Sequence, residues 1–185
     1  IALAKAVSPE VSGRYQVAGK GTNTNTSVLG VTGFYADVRN IQMSEGDFIN
    51  EQNLKNLSKV AVLGPTTRDD IFGENTENVI GQTIKIRGLE FKVIGITKSK
   101  GGSGFSNQDD MIFIPLTSAQ KYLTGDKYLS SISVQAVDSA SMAQAQQDIT
   151  DLLLVRHKKT VETADFNILN QADILATASS ITNTF

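Results

Sequence analysis

The chain has no cysteine in its 185 residues. A disulfide framework, a Cys-ligated zinc and a thiol nucleophile are therefore all excluded. It has a single histidine, His157. A Ser-His-Asp triad would have to use it, and no serine stands in a G-x-S-x-G elbow. A His-based metal site needs more than one. His157 is read as a surface residue at a helix end, beside Arg156, Lys158 and Lys159, where cations complement the helix dipole. An excess of positive charge is also missing: 17 Lys and Arg stand against 19 Asp and Glu, for a net charge of -2. Nucleic-acid binding has no electrostatic footprint in such a chain. No run approaches the roughly 20 apolar residues of a membrane span. Residues 1–7 are apolar but short, with no basic leader segment.

The usual marks of phosphate and metal chemistry are absent too. Gly19-Lys20 is followed by Gly21 where a phosphate loop needs Ser or Thr, and Arg14 stands where its first glycine belongs. Gly102-Ser103-Gly104 lacks a glycine at Asn107. Asp69-Asp70 and Asp109-Asp110 are adjacent pairs, not the alternating acids of a calcium loop. Neighbouring carboxylates on a strand face opposite ways, so Asp109-Asp110 is a poor acid–base dyad. These acids are read as ending a loop and solvating a strand start. No catalytic residue, cofactor-binding residue or metal ligand is assigned, and the chain is read as not an enzyme.

What is present is an ordinary globular composition, 40% hydrophobic and 19% charged. Residues 1–7 read as the tail of a helix ended by Ser8-Pro9. Residues 13–19 and 27–32 alternate and form a hairpin around a polar turn at 20–26. A short helix or turn follows at 34–40, then an irregular stretch with helical turns at 45–57. Residues 59–63 form a buried strand, broken by Gly64-Pro65. Thr66 caps a helix that Gly73 closes. Residues 83–87 and 89–97 form a hairpin around Gly88, with Ile84, Ile86, Leu89, Phe91 and Val93 alternating. A strand at 111–114 stops at Pro115, and Thr117 or Ser118 caps a helix ending near Gly125. The last third reads β-α-β-α. It has a strand at 131–137 and a long helix with Met142, Ala145, Ile149, Leu152 and Leu153 on one stripe. A strand at 165–169 and a helix opened by Asn170 complete it. The fold class is therefore α+β: a discontinuous α/β subdomain, 1–58 with 129–185, carrying an inserted β-rich subdomain, 59–128.

Two features bear on function. The segment 98–107 is a Gly/Ser/Lys loop, and Lys98, Lys100 and Phe105 are its candidate partner-contact residues. The last helix carries Ile174, Ala178, Ile181 and Phe185 at helical spacing and stops without a cap. With the helix expected at 1–7, this suggests two helices severed where they run into neighbouring membrane spans.

Several motifs, in order, carry a family resemblance. Gly33-Phe34-Tyr35-Ala36-Asp37-Val38-Arg39 precedes Gly46-Asp47-Phe48-Ile49. Val60-Ala61-Val62-Leu63-Gly64 is followed by Ile71-Phe72-Gly73. Ile80-Gly81-Gln82-Thr83-Ile84-Lys85-Ile86 leads into Phe91-Lys92-Val93-Ile94-Gly95, and the run continues through the 98–107 loop into residues 111–123. This succession resembles the MacB-like periplasmic core domain of FtsX-type ABC transporter permeases. Glu45-Gly46-Asp47 departs from the family's common Arg/Gly position before Phe48, which bears on subfamily and not on fold. The resemblance implies a porter-like outer subdomain on the extracytoplasmic face of the cell membrane. It implies a cytoplasmic ATPase subunit or domain and a second permease copy as partners, with a periplasmic adaptor or cell-surface protein as a further one. The domain would transmit ATP-driven movement to a substrate or partner outside the membrane, for export or efflux. A free-standing extracytoplasmic ligand-binding module is the alternative reading.

Overall fold

Two tight hairpins fix the register of the sheet. The computed structural model describes residues 2–74, 77–101 and 107–170. In the first hairpin, β1 (Ala4–Gly19) turns through Lys20 and Gly21, both at positive φ, into β2 (Thr22–Val31). In the second, β5 (Thr83–Ile86) turns through Arg87 and Gly88, again both at positive φ, into β6 (Leu89–Thr97). Two successive residues at positive φ give the two-residue turn whose twist matches that of paired strands. Between the hairpins lie α1 (Phe34–Val38), β3 (Met43–Gly46), α2 (Glu51–Lys55), β4 (Val60–Leu63) and α3 (Pro65–Phe72). After them come β7 (Met111–Pro115), α4 (Leu116–Ala119), β8 (Ser131–Ala136) and α5 (Met142–His157). α4 runs on into a π-helical turn, Gln120–Thr124, closed by Gly125 in the left-handed region.

The strand order is β2-β7-β4-β6-β5-β1-β8, with β3 against β6. Because β1 pairs with β2 as well as with β5, the path of pairings from β2 to β1 returns on itself. β2 with β7 and β4 with β6 are parallel pairs, and the other registered pairs are antiparallel.

Alternation along the strands gives two cores. Val11, Val17, Val28, Ala61, Leu63, Ile84, Ile86, Phe91, Ile112 and Ile114 point to one face. They pack with Ile71 and Phe72 of α3 and with Leu116, Ala119 and Leu123. Leu29, Val62 and Phe113, their immediate neighbours in sequence, point to the other, as does Val31. There Tyr35, Phe48 and Ile49 cover them. Phe113 has Tyr35 and Phe48 at ring-centroid distances of 5.5 and 5.6 Å. A sheet with both faces covered has strands that read as continuous apolar runs, as VAVL and MIFIP do.

The chain divides into two compact units, Ala6–Val134 and Ile1–Lys5 with Gln135–Phe185. The sheet runs across the boundary between residues 58 and 59 on which the expected insert rests: β1 and β2 pair with β5 and β7. Ile84 and Phe91 share their core with Val11, Val17 and Val28 of the first hairpin.

Several local expectations are corrected. Residues 4–7 are strand, not helix; small apolar residues such as Ala4 and Ala6 suit both, and strand pairing decides. Pro9 sits inside β1 at a point where β2 is not yet alongside, since that pairing starts at Val11. The polar run at 22–26 belongs to β2, its threonines being β-branched. Gly64, not Thr66, is the N-cap of α3, and Pro65 takes the first helical position, where no N–H is needed. Thr117 and Ser118 do not cap α4. Their hydroxyls donate instead to the carbonyls of Leu54 and Ser58, tying α4 to the α2 region. Residues 165–169 have no regular secondary structure; Phe166 and Ile168 are half-buried as alternation requires, but among the described residues no strand pairs with them. The helix expected beyond Asn170 lies outside the described residues.

Candidate functional site: the β6–β7 loop base and its supports

The β6–β7 connection is held at its base by one side chain, Asp109, which is 7% exposed. Its carboxylate accepts from Ser99 Oγ at 2.5 Å, from the Lys100 amide at 2.9 Å and from the Gly101 amide at 3.1 Å. Burial alone would raise the pKa of this carboxyl. The hydrogen bonds from Ser99, Lys100 and Gly101 outweigh it and hold the group below its ordinary range. The Asp109 carbonyl accepts the amides of Thr66 and Thr67, two of the unpaired donors at the start of α3. Asp110 beside it points elsewhere: its Oδ1 accepts from the hydroxyls of Thr26 and Thr67. The adjacent acids thus face apart in the turn before β7, but Asp109 is buried and does not solvate the strand start.

The candidate contact residues separate in role. The Lys98 side chain is exposed, and its amide donates to Gln42 O. Lys100 Nζ donates to the Arg39 carbonyl at 2.6 Å, so it ties the loop base to the end of α1. Phe105 lies outside the described residues.

Arg39 leads from the loop base to a polar cluster the sequence reading missed. Its Nη2 donates to Ser133 Oγ at 2.8 Å and lies 3.9 Å from Glu10 Oε1. Glu10 is 4% exposed; Ser131 donates to its Oε2, while Oε1 has no hydrogen-bond donor. Burial pushes the Tyr35 hydroxyl up to about 12, the Glu10 charge adds to this, and Arg39 opposes it. These residues come from β1, α1 and β8, and only the fold brings them together. The one available signal was a lone Glu between Pro9 and the strand expected at 13–19. Further along the same face of β1, a hollow of about 310 Å³ is lined by Ser12, Gly13, Arg14, Ser27, Leu29 and Met111. It is open to solvent, and Arg14 already donates to Asn25 O.

In the other unit, His157 is exposed at the end of α5. Its Nδ1 lies 2.7 Å from Asp165 Oδ1, and its ring meets the edge of Phe166 at 5.8 Å. Among the described residues no group of His, Asp or Glu side chains is placed to hold a metal ion. Nor is any described helix long and apolar enough to cross a membrane.

Residues 1–152 match the family described as MacB-like periplasmic core domain. The macrolide export ATP-binding/permease protein MacB of Bdellovibrio bacteriovorus is 35% identical over 182 residues, covering 97% of this chain and 28% of that protein. The protein of the same name from Chlorobium luteolum is 34% identical, covering 98% of this chain and 27% of its own length. The chain therefore spans little more than a quarter of these relatives. Among solved structures, the periplasmic region of MacB from Actinobacillus actinomycetemcomitans superposes with a TM-score of 0.81 at 23% identity, covering 97% of this chain and 78% of that one. The extracellular domain of the transporter YknZ, from Gram-positive bacteria, superposes with a TM-score of 0.72 at 16% identity, covering 85% and 78%. At these identities the superpositions speak for a shared fold alone. Motif order, sheet topology and the match over most of its length agree, and this chain belongs to the MacB-like periplasmic core domain family of ABC transporter permeases.

Proposed function

We propose that this domain stands on the outer side of the cell membrane as part of a longer permease, and that it passes ATP-driven movement to a substrate or partner there. The ATP is hydrolysed by a cytoplasmic ATPase domain or subunit, as the names of the relatives indicate for them. A second permease copy completes the transporter. The cargo class is export or efflux, macrolides being what the relatives' names specify. The division into an outer subdomain and an inserted one at 59–128 belongs to the same reading.

One observation carries it: residues 1–152 match a family of periplasmic core domains, and the relatives of which this chain covers little more than a quarter are ATP-binding/permease proteins. Partner contact falls to the β6–β7 loop, with Lys98 exposed, Lys100 held by the Arg39 carbonyl and Phe105 as the apolar candidate in its sequence. Its stiff base at Asp109 suits a tip that must not yield when pushed.

The test is a distance. A spin label at Tyr128→Cys, a site 82% exposed in a chain without other cysteines, reports the separation of two copies in the full permease. Trapping the ATPase with ATP and vanadate should change that distance by several ångströms. An unchanged distribution would reject mechanical transmission.

A further inference from the structure

The path of paired strands ends at β8, which pairs with β1 and, among the described residues, with no strand on its other side. A strand at such an edge presents alternate N–H and C=O groups that a further strand can take up. Edges are commonly guarded by charged side chains, by proline or by short length. Two other stretches carry such guards. β3 pairs with β6 alone, has four residues and bears the exposed Glu45. The part of β1 before Val11, where β2 is not yet alongside, bears Lys5 and Pro9. β8 is six residues long, and its sequence, SISVQA, has no charge, no proline and no glycine. Its two faces differ. Ser131 donates to the buried Glu10 carboxylate and Ser133 accepts from Arg39, so these hydroxyls share one face. Ile132 and Val134 lie on the other by alternation, and Ile132 is 51% exposed.

We infer that the open edge of β8 is where the domains of two permease copies meet, residues 131–134 pairing antiparallel with the same residues of the second copy. The strand's own chemistry selects a second copy as the occupant. A twofold axis across β8 sets the strand antiparallel to itself. A charged strand would then bring like charges together, and this one brings none. With the axis at Ser133, Ile132 stands opposite the partner's Val134, and Ser133 opposite the partner's Ser133. Both β-branched pairs then fall on one face and the hydroxyls on the other, whereas a slip of one residue would set apolar against hydroxyl. A ladder this short is far below the area that holds two free chains together. The pairing therefore rests on the second permease copy proposed above, whose membrane parts keep the two edges close.

Disulfide crosslinking in the full permease, in a background without other cysteines, tests it. Copies bearing Ser133→Cys should crosslink about tenfold faster than copies bearing Tyr128→Cys, because a disulfide needs Cα atoms within about 7 Å. Tyr128 is much the more exposed of the two, so accessibility alone predicts the reverse. A mixture of Ile132→Cys and Val134→Cys copies should crosslink between the two kinds faster than within either, a readout that leaves the Ser133–Arg39 contact intact. Adding Ile132→Lys, a guard charge at an exposed position, should slow crosslinking through Ser133→Cys about tenfold, with the circular dichroism of the chain unchanged. Differently tagged copies are purified in parallel. Copies that co-purify but crosslink no faster at 133 than at 128 would overturn the edge pairing and leave the second copy standing. Copies that do not co-purify would overturn both. Fast crosslinking at 133 that Ile132→Lys leaves untouched would equally overturn the pairing, since the contact would then not run along this edge.

Discussion

Asp109 shows how much a single buried carboxylate can organise. Three donors from the incoming strand end converge on its side chain, and its carbonyl receives two more from α3. Asp109→Ala leaves those loop donors without a partner and should cost about 1–3 kcal/mol in urea unfolding. Asp109→Asn, which keeps the shape but not the charge, should cost less. The pH dependence follows from its lowered pKa. The contribution is fully present above the ordinary carboxylate value of about 3.9 and is lost as pH falls through the lower folded-state value. Stability measured from pH 6 down to pH 2 should therefore fall less steeply in Asp109→Asn than in the unaltered chain. Parallel curves would remove Asp109 as an acid-sensitive group. Glu10 poses the opposite case, a buried carboxylate with one oxygen lacking a donor and Arg39 at 3.9 Å. Arg39→Ala strips away its nearby positive charge and should destabilise more than Glu10→Gln, because an uncompensated buried charge is costlier than a neutral amide. Urea midpoints of the two variants decide it, and an Arg39→Ala chain as stable as the unaltered one would show that the pair is idle.

At the level of elements, β3 and β6 meet at two glycines. A Cβ on Gly95 would collide with the Asp47 carbonyl and Met43 Cε, and Gly46 is at positive φ against the Ile94 carbonyl. Gly95→Ala should cost about 1–3 kcal/mol by forcing backbone apart, and a thermal midpoint within a degree of the original would contradict so close an approach. The sequence displays such elements unevenly. The hairpin around Gly88 was legible because alternation, a turn glycine and β-branched residues all agree there. β7 was legible because an apolar run ends at Pro115. The first half of β1 was not, because small apolar residues carry no period and the deciding partner, β8, lies more than a hundred residues away in sequence. Residues 165–169 gave a false strand for the converse reason: the alternation is real, but alternation reports which side is covered and not whether a ladder exists. The loop was legible as a loop from its glycines. Its clamp was not, since Asp109 and Asp110 look alike in sequence and only the turn before β7 sends one to the loop amides and the other to the threonines. Lys100 was singled out for partner contact on its charge alone, and its bond to the Arg39 carbonyl depends on α1, some sixty residues earlier.

For the molecule as a whole, the question is how strongly copies of this domain hold one another without the rest of the permease. Among the described residues of Ala6–Val134, the exposed large apolar side chains Val7, Phe34, Ile80, Tyr128, Leu129 and Ile132 come from several separate elements and loops. The long apolar runs of the sheet are already covered on both faces by the chain's own helices and loops. A stable dimer interface typically buries about 1,600 Å² around a well-packed apolar centre, which single exposed side chains do not provide. The chain alone should therefore sediment as a 19.9 kDa monomer at micromolar concentration. Joining two copies to membrane spans changes the arithmetic, because a short tether sets an effective concentration of about a millimolar, enough to populate contacts too weak to see in free solution. Fusing the chain to a dimeric coiled coil should reproduce this. Single-cysteine variants on one face should then crosslink between copies in the fusion and not in the free chain. A tight dimer of the free chain would mean that the domain supplies its own pairing energy, and the assignment of dimerisation to the membrane and ATPase parts would have to be given up.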